Sequence, residues 1–399
     1  MNPTKRNASY LAVLLGMASF IIIIALAAKP VNSMSGAATN MNTNETSGTD
    51  EFPYEIGKSC TYKNLQLFFL ATDKNMIDKE YITLSEAMNH KYVTVIETSN
   101  VNQLAVENHS SHFVFISAGD IVKGGRQDRT IGKDIILPPK SGKVPLASFC
   151  VESGRWQQRG AETSDEFSTS NNSLSSRELK LAAKKNENQG EVWNQVSRQQ
   201  EKVNESMVAN YEYDSSFDVR DENSETSLQL TLENKDLQKI KAEYEAFFKK
   251  LGFDTNKTVG FVYAINGEIY GIDIYNNYKL FNDLWPKLLD AVIVEAISDN
   301  TQEDFKPIDA TAILSLVKSF DSAKAETEKE EINSETTFSI TTTPDAVKFE
   351  TFDKREDNRL LHLNYITVDT TSTANHSQYN ENYYLQEDNR QIQQNRGWE

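Results

Sequence analysis

Between Ser117 and Trp156 the chain reads SAGDIVKGGRQDRTIGKDIILPPKSGKVPLASFCVESGRW, with glycines, basic residues and carboxylates set between apolar runs. The paired Gly124-Gly125 lets the backbone take positive φ and come close to a ligand. Successive N–H groups in such a turn form an anion-binding nest. Lys123, Arg126, Gln127, Arg129 and Arg155 add donors, the arginines as forks suited to carboxylate or phosphate. Asp120 and Glu152 supply carboxylates for an acid/base pair of the glycosidase kind. The implied chemistry is recognition of a small anion, of phosphate or nucleotide/sugar-derived type. Hydrolysis of a glycosidic or phosphate bond is a second reading. A third needs no ligand: the glycines make a hairpin turn, and the arginines pair with Asp128 and Glu152 as internal cross-links. Residue types alone leave these readings open.

Other chemistry is weaker. The glycine spacing matches neither a phosphate-binding P-loop nor a dinucleotide fingerprint. His109-Ser110-Ser111-His112 has ligand-like spacing but no third ligand, so no metal is assigned, and no cofactor either. Ser153 lacks the G-x-S-x-G elbow of a serine hydrolase. The chain carries 58 Asp and Glu against 41 Lys and Arg, for a net charge of −17. That balance, without a basic cluster, argues against nucleic acid as a partner. Cys60 and Cys150 are the two cysteines and would be able to pair in an oxidising compartment.

The elements that must position these residues read as strands, then helices, then strands. Leu65–Leu70, Tyr92–Ile96 and His112–Ile116 are short β-branched and aromatic runs, with a short helix from Thr83 between the first two, capped at Thr83 with Glu86 three residues on. Residues 157–176 are Ser/Asn/Thr-rich and read as a surface loop. Helices are expected over Arg177–Lys185 and Glu191–Val208, the far half of the second solvated. Leu237, Ile240, Tyr244, Phe248 and Leu251 recur at helical spacing and end at Gly252. Val259–Ile265 and Ile269–Tyr275 flank Asn266-Gly267, a strong hairpin signal. Leu280–Ile297 reads as an amphipathic helix with Pro286 in its first turn. Ile308–Phe320 is expected helical, and Ala346–Phe352 with Leu360–Val368 as a second hairpin. The fold class is α+β: a globular domain based on antiparallel sheet, with several packed helices, after an N-terminal apolar helix.

Lys5 and Arg6 precede an uncharged run from Tyr10 to Ala28, close to the roughly 20 residues that span a bilayer. Basic residues on that side send the body outward. Residues 1–30 are therefore a membrane anchor, lodged through residues 10–28, or a signal peptide cleaved near Ala25-Leu26-Ala27. Residues 31–55 follow as a flexible linker, 56–300 as the main domain, 301–370 as a helix and hairpin extension, and 371–399 as a disordered tail.

Several ordered segments resemble the ARG and Rhodanese-Phosphatase-superfamily-associated protein domain, a family without an established activity. They are Gly119–Arg129, Ile136–Pro139, Cys150–Trp156, Glu191–Trp193, Gly267–Tyr275 and Leu280–Leu289. The resemblance runs from about Tyr62 to Ile297 and weakens after residue 300. Its name associates the family with ADP-ribosylglycohydrolase-type and rhodanese/phosphatase proteins, which implies a role near ADP-ribose or NAD-derived nucleotide chemistry. An export segment is a departure from that setting, because such metabolites are mainly intracellular.

Overall fold

The computed structural model describes residues 52–74, 76–301 and 303–369. Contacts divide the chain into Met1–Ala37 and Ala38–Glu399, and all described residues belong to the second unit. The apolar run 10–28, residues 31–51 of the linker and the tail at 371–399 lie outside the described residues. No helix among the described residues is long and apolar enough to cross a membrane.

The first half is mostly strand: β1 (Glu55–Tyr62), β2 (Leu65–Ala71), β3 (Ile82–Thr83), helix α1 (Leu84–Asn89), β4 (Val93–Asn100), β5 (Gln103–Asn108) and β6 (Val114–Ile116). It continues through β7 (Asp120–Gly124), β8 (Arg129–Ile131), β9 (Ile135–Leu137), β10 (Gly142–Cys150) and β11 (Phe167–Ser173). Helices α2 (Arg177–Lys184), α3 (Gln189–Asn210), α4 (Leu228–Leu232) and α5 (Lys235–Leu251) come next. The hairpin β12 (Thr258–Ile265) and β13 (Glu268–Tyr275) then leads to α6 (Tyr278–Ser298) and α7 (Ala310–Ser322). Four strands close the fold: β14 (Glu326–Glu331), β15 (Thr336–Thr342), β16 (Ala346–Asp353) and β17 (Arg359–Thr367).

The fold is α+β. An eight-stranded sheet runs β1-β2-β12-β13-β17-β16-β15-β14, and a six-stranded one runs β11-β7-β8-β10-β5-β4. Both are antiparallel; the small sheet β3-β6-β9 contains a parallel pair, β3 with β6. Strand alternation fills two layers around the large sheet. Phe261, Tyr263 and Ile265 face a core shared with α5 and α6, while Val262 faces one shared with α7. Asn266 and Gly267 both take positive φ, 51° and 81°, as a two-residue hairpin turn requires. Side-chain caps start the helices where the sequence places them: Thr83 accepts from Glu86 N, and Asn277 from Leu280 N.

Four differences have physical causes. Part of the expected loop 157–176 is strand β11, which pairs with β7 and buries Phe167. The far half of α3 is solvated on one face and packed on the other: Glu201, Lys202, Glu205 and Val208 are exposed, while Val203, Ser206 and Met207 are buried and Ser206 donates to the Ile297 carbonyl. Pro286 lies inside α6 rather than in its first turn: it is the ninth residue of a helix that begins at Tyr278, and even from Leu280 it would fall in the second turn. The residues after 300 are integral, not appended: β17 sits between β13 and β16 in the large sheet.

Candidate functional site

Asp120 opens β7 and Gly124 ends it, so the segment first singled out is a strand and its turn. Gly125 has φ 55°, and a Cβ there would overlap the Phe167 ring, so this position requires glycine. The turn is bound up with its neighbours through both its N–H and its carbonyl groups. Gly124 N–H donates to Asp128 Oδ1 at 2.9 Å, and the Gly124 and Gly125 carbonyls both accept from Arg155 at 3.2 Å.

The surrounding charges are saturated by one another. Asp128, fully buried, accepts from both terminal nitrogens of Arg159 at 2.9 Å and from Ser227 Oγ at 2.8 Å. Glu152, also fully buried, accepts from Arg155 Nε at 2.7 Å, Ser224 Oγ at 2.5 Å and Asp128 N at 3.0 Å. Gln127 Nε2 donates to the Glu152 carbonyl at 2.8 Å. Arg129, 1% exposed, turns away to Glu97 and the Val101 carbonyl. Lys123 pairs with Glu233 at 2.6 Å. Arg126 alone among these basic residues is exposed, and it makes no ion pair with another described residue.

Asp120 and Glu152 share no hydrogen-bond partner: Asp120 accepts from Lys287, while Glu152 accepts from Arg155, Ser224 and Asp128 N. The two cysteines do not pair either. Cys60 lies on β1 of the large sheet and Cys150 at the end of β10 in the six-stranded one; both are free thiols. Burial pushes each up to about 12. Among the described residues no group of three or more His, Cys, Asp or Glu side chains could hold a metal ion.

Asp120 instead faces a polar cleft of about 620 Å³. Lys287 of α6 donates to Asp120 at 3.0 Å and to Ser85 Oγ at 2.9 Å. Asp290, one turn further along α6, pairs with Lys241 of α5 and accepts from Asn172 Nδ2 at 3.2 Å. Lys241 is 1% exposed, so its ammonium is fixed at the cleft wall rather than waving in solvent. The β7–β11 register shifts between Thr169 and Ser173, and the residues of this bulge, Ser170 to Asn172, line the cleft. Glu233, the partner of Lys123, completes one rim. Lysines 241, 249 and 287 face Asp120, Glu233, Glu245, Asp283 and Asp290, so the lining is mixed and acids predominate.

The sequence reading found Asp120 and missed the rest of the cleft. A signal existed: Lys241, Glu245 and Lys249 recur every four residues, and Asp283, Lys287 and Asp290 at four and three, so each set shares one helix face. Arg159, Ser224, Ser227 and Glu97, which close the turn cluster, lie in polar segments with no periodicity to flag them.

No curated protein and no solved structure shows significant similarity to the chain. The family model for the ARG and Rhodanese-Phosphatase-superfamily-associated Protein domain, ARPP-1, matches residues 53–366. That span runs from just before β1 into β17, and the chain belongs to this family.

Proposed function

We propose that this domain binds a small hydroxyl-rich ligand of sugar-derived type in the Asp120–Lys287–Asp290 cleft. The observation that supports it is the convergence of carboxylates, fixed lysines, amides and hydroxyls from several elements on one open concavity. Such a mixed set of donors and acceptors suits hydroxyl groups, each of which gives and accepts. A phosphate-type anion is the poorer guest, because acids outnumber lysines around the cleft and the arginines of the β7–β8 turn are already engaged. An ADP-ribose-like ligand enters this reading through its ribose rather than its pyrophosphate. The turn cluster serves as scaffolding beside the site.

Isothermal titration of the full chain with maltotriose, ADP-ribose and ribose 5-phosphate tests the proposal. A neutral or ribosyl compound binds saturably, and Lys287→Met and Asp290→Asn each weaken it about tenfold or more. Arg126→Ala leaves it unchanged. No saturable binding by any of the three, or loss confined to Arg126→Ala, overturns the reading.

The same reading has the domain exported or membrane-anchored through residues 10–28. The support is Lys5 and Arg6 before an uncharged run. Protease added to intact cells should digest the domain; complete protection until lysis would sink this part.

A further inference from the structure

Behind the cleft lies a second, much smaller space of about 40 Å³. The two are separated by a wall one residue thick. Gly119, Ser173 and Leu288 face the inner chamber, while their chain neighbours Asp120, Asn172 and Lys287 face the cleft. The seam between them is closed by Ser173 Oγ and Leu174 N, both donating to the Gly119 carbonyl, at 2.8 and 2.9 Å.

The chamber is walled by charged groups rarely found so deep. His362 of β17 is held between two carboxylates, Nδ1 2.5 Å from Asp134 and Nε2 2.7 Å from Asp273. Carboxylates on both sides need both ring nitrogens to donate, so the ring is an imidazolium. Burial alone would lower its pKa, but Asp134 and Asp273 outweigh that and raise it to about 9. Tyr275 stacks on the ring at 4.2 Å between centroids. His362 thus has no ring nitrogen left for a guest.

Other groups do have spare capacity. The Tyr275 hydroxyl is fully buried with Ser117 as its one side-chain neighbour, and the Ser117 hydroxyl is itself directed to the Ala118 carbonyl at 3.4 Å, so Tyr275 keeps hydrogen-bonding capacity to spare. Lys184 Nζ, also buried, donates to Asn364 Oδ1 at 2.9 Å and has two further N–H groups. A buried hydroxyl left unmade is costly, and this space exceeds the roughly 10–15 Å³ that one water needs.

We infer that the chamber is a binding site for a hydroxyl-sized polar guest, water or the hydroxyl of a small alcohol, held by Tyr275 Oη and Lys184 Nζ. The guest accepts from the lysine, exchanges a hydrogen bond with the tyrosine, and lies one residue behind the cleft wall. This goes beyond the cleft reading and does not need a cleft ligand to be tested.

Crystals of the full chain grown with and without methanol provide the test. Ordered density is expected within hydrogen-bonding distance of Tyr275 Oη and Lys184 Nζ: water in the first crystal, methanol in the second if alcohols are admitted. Tyr275→Phe should fold and leave the thermal midpoint unchanged or lower, since it gives up a satisfied hydroxyl. An empty chamber in both crystals overturns the inference. So does a Tyr275→Phe midpoint raised by about 2 °C or more, the signature of relieving an unsatisfied hydroxyl in a dry void.

Discussion

Around the β7–β8 turn each oxygen of Asp128 and Glu152 has a partner from the chain, and both side chains are fully buried. In the neighbouring cleft, Asp290 and Lys287 carry similar charges but remain 15% and 13% exposed along one open wall. The two regions share residue types and even an ion-pair chemistry. They differ in whether the protein has used up its own hydrogen-bonding capacity. A saturated cluster fixes a turn; a partly saturated one, facing solvent, can still take a ligand. Density of charge in a sequence does not distinguish them.

The strongest way to break this contrast is Asp128→Ala. It strands Arg159, Ser227 and the Gly124 N–H in a buried setting, and we expect a loss of about 3–5 kcal/mol by urea unfolding. A loss below about 1 kcal/mol would remove the distinction between cluster and cleft.

His362→Asn tests the chamber wall on the same scale, at about 3 kcal/mol near neutral pH, because it removes the cation between two carboxylates. Its pH signature is specific. A folded pKa of about 9 against 6.5 means the imidazolium's contribution is complete below 6.5 and lost as pH rises through about 9. Asp134 behaves oppositely. Burial would raise it, but His362 outweighs burial and holds it at about 2, so its contribution is complete above 3.8 and lost as pH falls through about 2. Thermal midpoints of the natural chain should fall between pH 6.5 and 9, and those of His362→Asn should lack that fall.

In the cleft, Asp120→Asn should cost only about 1 kcal/mol, since Lys287 keeps Ser85 and some solvent. A cost equal to that of Asp128→Ala would mean that the cleft too is scaffolding. Arg126→Ala, the smallest effect, should stay within about 0.5 kcal/mol in chemical denaturation.

Much of the fold was legible where a local rule had one answer. Asn266-Gly267 could only be a tight hairpin, Thr83 began a helix, Gly252 ended one, and residues 346–368 paired across their turn. Reading failed where polar residues were buried with partners far along the chain. Phe167–Ser173 looks like a loop because its polarity is visible and its pairing with β7 is not. Gln199 and Gln200 in the middle of α3 look solvated because their hydrogen bonds to Ser175 and Thr231 cannot be read from periodicity. The site followed the same pattern: Asp120 was legible as a carboxylate before a turn, but its partner Lys287 comes 167 residues later. Tertiary pairing decided which charges were left open.

Strand β14 has a consequence of its own. Among the described residues it is the last strand of the eight-stranded sheet, an edge open to a further strand, and its sequence is ETEKEE, exposed at every position. A second copy docking there antiparallel would have to crowd glutamates against glutamates, so the edge is protected from growing into intermolecular sheet. That protection depends on the side chains of one strand: replacing Glu326, Glu328 and Glu330 with Thr would remove most of it, and self-association through this edge should then become a route to fibrillar aggregates.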